Sequence, residues 1–173
     1  MTASAKNARM LRAVERRLKK FAERDVPAAQ RTAINKTLAK VKTRTVRGVA
    51  KAKRIRPSAI KKRVVVQRTT PRRFAALTFY RRAVSAIALG ARQTKRGVRA
   101  GSRFYDRAFI QRVGPKGTAH VLRRKGRQRY PLEAPKVVIR EAVDSVTPKT
   151  VRRVIRSDYQ RLYQHELQRR AKR

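Results

Sequence analysis

The 173-residue chain carries 50 lysine and arginine residues against 9 aspartate and glutamate residues, a formal net charge of +41. Such a charge repels itself strongly when a chain of this length folds compactly. Solubility alone needs a net charge of only about 2–8 on a small domain. The excess of positive charge therefore predicts that the cations are spread over a wide surface and that the protein has a polyanionic partner. Duplex DNA is a candidate for this partner, since it presents about one phosphate per 1.7 Å of its axis.

The amino-acid composition narrows the classes of protein and of nucleic-acid ligand that fit this sequence. Hydrophobic residues make up 40% of the chain, which suffices for a core, and the absence of cysteine excludes disulfides and thiolate chemistry. Tryptophan is absent and aromatic residues are few, which favours contact with a duplex backbone over stacking on unpaired bases. Residues 1–21 hold no apolar run of a signal peptide, and no stretch approaches a membrane span. We therefore expect the protein to be cytosolic when it is made and to have no membrane partner.

Residues 1–63 read as a basic helical part. Apolar residues three and four apart predict a helix over 5–24, with a stripe formed by Leu11, Val14, Leu18 and Phe21. Pro27 predicts a break and a second helix over 28–52, and Pro57 opens a short helix to Lys62. The stripe of the second helix contains Ile34, Leu38, Val41, Thr45 and Val49. Each stripe is interpreted as core packing or a subunit contact.

The sequence predicts that residues 64–133 form a β part. A C-terminal helix is predicted over 147–171, with Thr147 as its N-cap. Glycines flank a polar, basic segment over 90–101, which predicts a long loop. Strands are predicted over 64–66, 74–80, 84–89, 104–113 and 118–124, the last two forming a hairpin. The expected fold is α+β in a single domain over 1–173, with N-terminal helices, a small, mostly antiparallel sheet and a C-terminal helix.

The acidic residues are distributed unevenly, since none occurs between Asp25 and Asp106. A face that meets phosphate is expected within this acid-free stretch, because cations there have no neighbouring acid in sequence to neutralise them. The candidate nucleic-acid-binding residues are Lys51, Lys53, Arg54, Arg56, Lys61, Lys62, Arg63, Arg92, Lys95, Arg96, Arg99 and Arg103.

The sequence contains no recognisable arrangement of catalytic residues. His120 and His165 are the only histidines, and they fall on different predicted elements, so no metal site is indicated. Four acids come nearest to the carboxylate cluster of a nuclease, and pairing with surrounding arginines is the favoured interpretation; they are Asp106, Glu133, Glu141 and Asp144. We predict no catalytic residue and no cofactor. A helix-turn-helix motif over 5–52 is not excluded. Both helices are basic on nearly all sides, however, which favours binding to DNA without regard to its sequence.

Several short blocks, in order and spacing, resemble the prophage minor tail protein Z family. In the N-terminal half they are AINKTL at 33–38, RTVRGVAK at 44–51 and IRPSAIKKRV at 55–64. Around the predicted hairpin they are AFI at 108–110, Gly117, HVLRRKG at 120–126 and YPLE at 130–133. The likeness covers most of the chain.

The resemblance implies a structural virion protein of the neck or upper tail of a long-tailed phage, needed for tail completion and genome delivery. This position implies partners in the tail terminator or tail tube and in the head-closure or connector proteins. Because identical subunits usually close into symmetric rings, we expect a homo-oligomeric ring, with six copies as the first expectation since the tail tube of such phages is six-fold. A ribosomal or nucleoid-type protein is the alternative, and an enzyme acting on DNA comes third.

The hairpin motif is interpreted as structural. Phe109 and Val121 are expected to share the packed face of the sheet, and Gly117 is expected to adopt a positive φ in the turn. Pro131 is expected to direct the chain out of the following loop. Glu133 is expected to pair with an arginine such as Arg124.

Overall fold

The structure, a computed structural model, describes residues 3–80, 83–115 and 117–172. Its helices are α1 (Ala3–Lys20), α2 (Val26–Lys53), α3 (Pro57–Lys61), α4 (Arg140–Val154) and α5 (Gln160–Ala171). Its strands are β1 (Val64–Gln67), β2 (Ala76–Phe79), β3 (Ala83–Ser85), β4 (Ala91–Gln93), β5 (Gly97–Ala100), β6 (Arg103–Asp106), β7 (Ala108–Val113), β8 (Thr118–Arg124), β9 (Leu132–Glu133) and β10 (Lys136–Val138). The α+β prediction is confirmed.

Within the described residues the strands form four small sheets: β1–β2, β3–β10, β4–β5–β6 and β7–β8–β9. The pairs in the last three sheets are antiparallel. The chain divides into two compact units. The first takes its described residues from Met1–Val41, Gln67–Ala76 and Arg152–Arg173, and the second from Lys42–Val66 and Leu77–Val151.

The second unit contains the main hydrophobic core. The C-terminal half of α2, α3, the sheets and α4 each contribute apolar side chains to it, including Val49, Ile60, Val84, Leu89, Val98 and Ile139, all at most 1% exposed. On α2 the predicted stripe is confirmed for Val41, Thr45 and Val49, which are buried. Further toward the N-terminus Ile34 and Leu38 are only half-buried, and Ala33 and Thr37 are the buried residues.

The apolar stripe of α1 has a different environment. Leu11, Val14 and Leu18 are 65%, 53% and 62% exposed, and Phe21 is half-buried. The stripe is therefore not packed into a core of the described chain. Its other interpretation, a subunit contact, stays a prediction.

Two helix boundaries differ from the predictions at prolines. Between α1 and α2 there is no break, because a π-helical turn at Phe21–Asp25 joins them and the Val26 N–H bonds the Phe21 carbonyl five residues back. Such a turn rearranges the hydrogen bonds just before Pro27, which cannot donate one. The predicted C-terminal helix is α4 and α5, joined by a π-helical turn at Ile155–Tyr159. Since α4 begins at Arg140, Pro148 lies inside it and Thr147 is not its N-cap. Burial of Ala142 and Val143 in the core explains the earlier start.

The segment 90–101 is a β-hairpin, so the prediction of a long loop is wrong. Strand β4 pairs with β5 from Ala91↔Ala100 to Gln93↔Val98. Val98 and Ala100 are both fully buried in the core, and this burial stabilises the strand pairing. The polar composition of the segment gives no sign of this pairing. The turn is closed by Thr94, whose N–H and hydroxyl donate to the Gly97 carbonyl at 2.8 and 2.9 Å.

The predicted hairpin strand over 118–124 is confirmed as β8, while 104–113 is divided into β6 and β7 at Arg107, where φ is +53°. The expectation that Phe109 and Val121 share a face is wrong. Ile110 stands opposite Val121 and Phe109 opposite Leu122, so Phe109 and Val121 lie on opposite faces. Val121 belongs to the core, and half-buried Phe109 lies on the other side.

Around the hairpin, Gly117 has φ +55°, which confirms the prediction for the turn. Glu133 pairs with Arg123 rather than Arg124, at 2.7 Å from Arg123 Nε, because the β8–β9 register places these two residues opposite each other. Arg124 is exposed opposite Leu132. The loop ends where the Lys125 N–H donates to the Pro131 carbonyl at 3.2 Å.

Ion pairs connect the N-terminal and C-terminal helices within the first unit. Lys36 Nζ lies 2.5 Å from Oε1 of Glu166, and Lys40 Nζ lies 2.6 Å from Oδ1 of Asp158. Both carboxylates are buried, and Arg169 reaches the second oxygen of Glu166 at 2.9 Å. The hydrogen bond from Lys36 lowers the pKa of the Glu166 carboxyl, the charges of Lys36 and Arg169 act in the same direction, and burial opposes them.

Glu166→Gln is expected to lower the free energy of unfolding at neutral pH by about 1–3 kcal/mol, because it removes a charge-assisted hydrogen bond. Since the pKa of Glu166 is lower in the folded state, its contribution is present above the unfolded value of about 4.3 and is lost as the pH falls through the folded value. The difference between wild type and variant should therefore shrink in acid. Urea unfolding at a series of pH values measures it. Exposed Glu15→Gln is the control, and a difference independent of pH would contradict the assignment.

Candidate nucleic-acid interface

All twelve predicted cations lie in the second unit. Ten are exposed, and Lys53 and Arg63 are half-buried. Among the described residues, only Lys53 of the twelve forms an ion pair with an acid, at 3.2 Å from Glu141. The other eleven charges therefore have no acidic side chain to neutralise them within this part of the chain.

The first group of cations surrounds a groove of about 440 Å³ at the C-terminal end of α2. Its cationic rim consists of Arg47, Lys51, Arg54 and Arg56, and its apolar floor of Ala50, Ile55, Pro57 and Leu89. Arg54 ends the helix with φ +52°. Its carbonyl lies 3.5 Å from the Ser102 hydroxyl, which donates to it. Arg47 was not among the candidates, although its position one helical turn before Lys51 could have indicated it.

A second group lies around a pocket of about 460 Å³ that contains Lys62 and Arg63 together with Ser58 and Tyr80. The Tyr80 N–H donates to the Arg63 carbonyl at 2.8 Å, which holds the end of β2 beside the start of β1. This pocket and the groove each bring together some of the predicted cations.

The third group lies on the sheet β4–β5–β6. Arg92 stands opposite Arg99, and Arg99 stands opposite Phe104, so these three side chains form a row across one face. All three are exposed, while Val98 and Ala100 on the other face are buried. Lys95 and Arg96 occupy the β4–β5 turn, and Arg103 stands opposite Ala100, on the face away from the row. Phe104 was missed because an aromatic residue in a strand is ordinarily counted with the core.

Like charges directly opposite each other destabilise a sheet. Arg92 and Arg99 are such a pair, and their register is set by burial on the other face of β5. The arrangement is chemically suited to an anion that bridges two guanidinium groups, and phosphate oxygens accept hydrogen bonds from arginine in this way.

Three of the four acids considered for catalysis pair with arginines, as predicted, and Glu141 pairs with a lysine instead. Asp106 lies 3.7 Å from Arg107, Asp144 lies 3.8 Å from Arg140, and Glu133 and Glu141 have the partners given above. Over residues 3–80, 83–115 and 117–172 no three histidine or acidic side chains are grouped as metal ligands would be. In the same residues, no helix is long and apolar enough to span a membrane.

Comparison with known proteins gives one family. The model of the prophage minor tail protein Z family matches residues 10–173, nearly the whole chain. No curated protein and no solved structure was found to match. The family is one of structural phage tail proteins and not of enzymes, which makes the chain a virion component. The chain, with its basic surface, α+β fold and hairpin motif, therefore belongs to the prophage minor tail protein Z family.

Proposed function

We propose that this tail protein forms a ring between the head connector and the tail tube, and that the cations of its second unit face the lumen and contact double-stranded DNA. The observation that carries the proposal is the placement of eleven cations, without acidic partners among the described residues, on a single compact unit.

Ring formation is supported by symmetry and by exposed surface. Identical subunits with head-to-tail contacts close into rings, and six copies would match a six-fold tail tube. The exposed stripe of α1 offers apolar area for such contacts. The tail terminator or tail tube on one side, and the head-closure or connector protein on the other, are the proposed neighbours.

The contacts with DNA are proposed to be independent of sequence. Phosphate contacts position a protein on DNA but carry no sequence information. Each contact also exchanges readily with salt ions, so that many of them hold the DNA without preventing its exit. In this way the ring would complete the tail and allow genome delivery.

Replacing Lys95, Arg96 and Arg99 together with alanine is expected to reduce the salt dependence of duplex binding. The slope of log K against log salt should fall by up to about 3 units, at about 0.9 for each phosphate that the protein no longer neutralises. Fluorescence anisotropy with a duplex at several salt concentrations measures the slope.

The matched control removes three charges from α1 in the first unit, with Arg12, Arg16 and Lys19 replaced by alanine. We expect a clearly smaller change of slope. Equal changes in both triple variants would contradict a specific role for the second unit. The match to the tail protein family speaks against the alternative, a ribosomal or nucleoid protein. Detection of the chain in purified virions by mass spectrometry checks this.

A further inference from the structure

The row on the sheet β4–β5–β6 contains one residue that contact with a duplex does not explain. Phe104 is 52% exposed, although its neighbour Tyr105 packs against the core. Its position opposite Arg99 places its side chain next to that arginine, and Arg92 lies one strand further along the same face. An apolar ring that is exposed to solvent at the end of a row of arginines suggests a ligand that offers both a flat apolar face and an anion.

A nucleotide with an unpaired base has both properties. In a duplex the faces of the bases are stacked on one another, so an aromatic side chain on a sheet cannot reach them. In single strands the faces are free, and proteins bind them by stacking on aromatic residues beside a cationic track for the backbone. Neighbouring strands lie about 4.8 Å apart, so the row from Arg92 to Phe104 extends over about 10 Å.

We propose that this row binds unpaired nucleotides, with one base stacked on Phe104 and an adjacent phosphate held by Arg99 and Arg92. The proposal rests on the proposed function in taking nucleic acid as the ligand, and it adds a preference for single-stranded segments. It also explains the opposed arginines, since a phosphate between them relieves their repulsion.

The surroundings of the row are predominantly cationic. Asp106, two residues after Phe104, lies on the same face, but it pairs with Arg107 at 3.7 Å and stands opposite Gly97, which has no side chain. Lys95 and Arg96 in the adjacent turn add two positive charges. The single negative charge of Asp106 is outweighed by these positive charges, so the face does not repel the phosphates of a nucleic-acid strand.

The test uses the full-length protein and two probes, a labelled single-stranded DNA of about 20 nucleotides and a blunt duplex of the same sequence. Phe104→Leu keeps an apolar side chain but removes the aromatic face. We expect it to weaken binding of the single strand at least about five-fold, the lower end of the effect of base stacking. Binding of the duplex should change less than about two-fold.

Phe74→Leu is the matched control, because Phe74 is 93% exposed and lies outside the row, and it should leave both affinities unchanged. Thermal unfolding of each variant checks that the fold is retained. Equal weakening on the two probes, or no effect on the single strand, would overturn the inference. The proposed function would survive that outcome, since it depends on the salt dependence of duplex binding.

Discussion

Replacing Gly97 with alanine should disrupt the sheet β4–β5–β6 and lower the free energy of unfolding by about 3 kcal/mol or more. A Cβ atom at this position would lie 2.1 Å from the Tyr105 carbonyl oxygen and 3.1 Å from the Asp106 Cα. Both atoms belong to the backbone of the paired strand, so no rotation of a side chain relieves the overlap. Urea unfolding followed by circular dichroism measures the destabilisation.

Gly126→Ala is the control for this substitution. A Cβ added at Gly126 would have nothing within 4 Å, so we expect a change of no more than about 0.5 kcal/mol. Similar stability of the two variants would mean that β5 and β6 do not approach each other as described. Because the row of Arg92, Arg99 and Phe104 depends on this pairing, Gly97→Ala should also weaken binding of single-stranded DNA.

Leu89→Ala is expected to cost about 2–5 kcal/mol, the range for removing a buried leucine side chain. Leu89 is 1% exposed in a short 3₁₀ helix at Ala86–Leu89, and it packs in the core of the second unit. It also forms part of the floor of the basic groove, so the cavity left behind would lie next to the cations there. Chemical denaturation of the full chain measures the effect.

Leu11→Ala on α1 removes the same atoms from a side chain that is 65% exposed. Its effect on the stability of the isolated chain should stay within about 0.5 kcal/mol. A large destabilisation by Leu11→Ala would show that the stripe of α1 is covered in solution, which is the behaviour expected of a subunit contact.

The sequence alone determined the class of fold and the position of the cations along the chain. Helical periodicity identified the buried side of α2 from Val41 to Val49, and the alternation and glycine turn around 104–124 identified the hairpin, because both are local properties of the chain. The acid-free stretch predicted where unneutralised charge would be found, because charge is a property of composition. The order of short blocks sufficed to indicate the family.

Tertiary structure decided which face of each element is covered. Periodicity shows that Phe109 and Ile110 lie on opposite faces of a strand, but the packing of Val121 in the core settles which face is inside. Burial of Val98 and Ala100 likewise turned a polar segment into a hairpin, and burial of Ala142 extended α4 before Pro148. Register across three strands placed Arg92, Arg99 and Phe104 in one row, since a sequence specifies neighbours along a chain and only pairing specifies neighbours across a sheet.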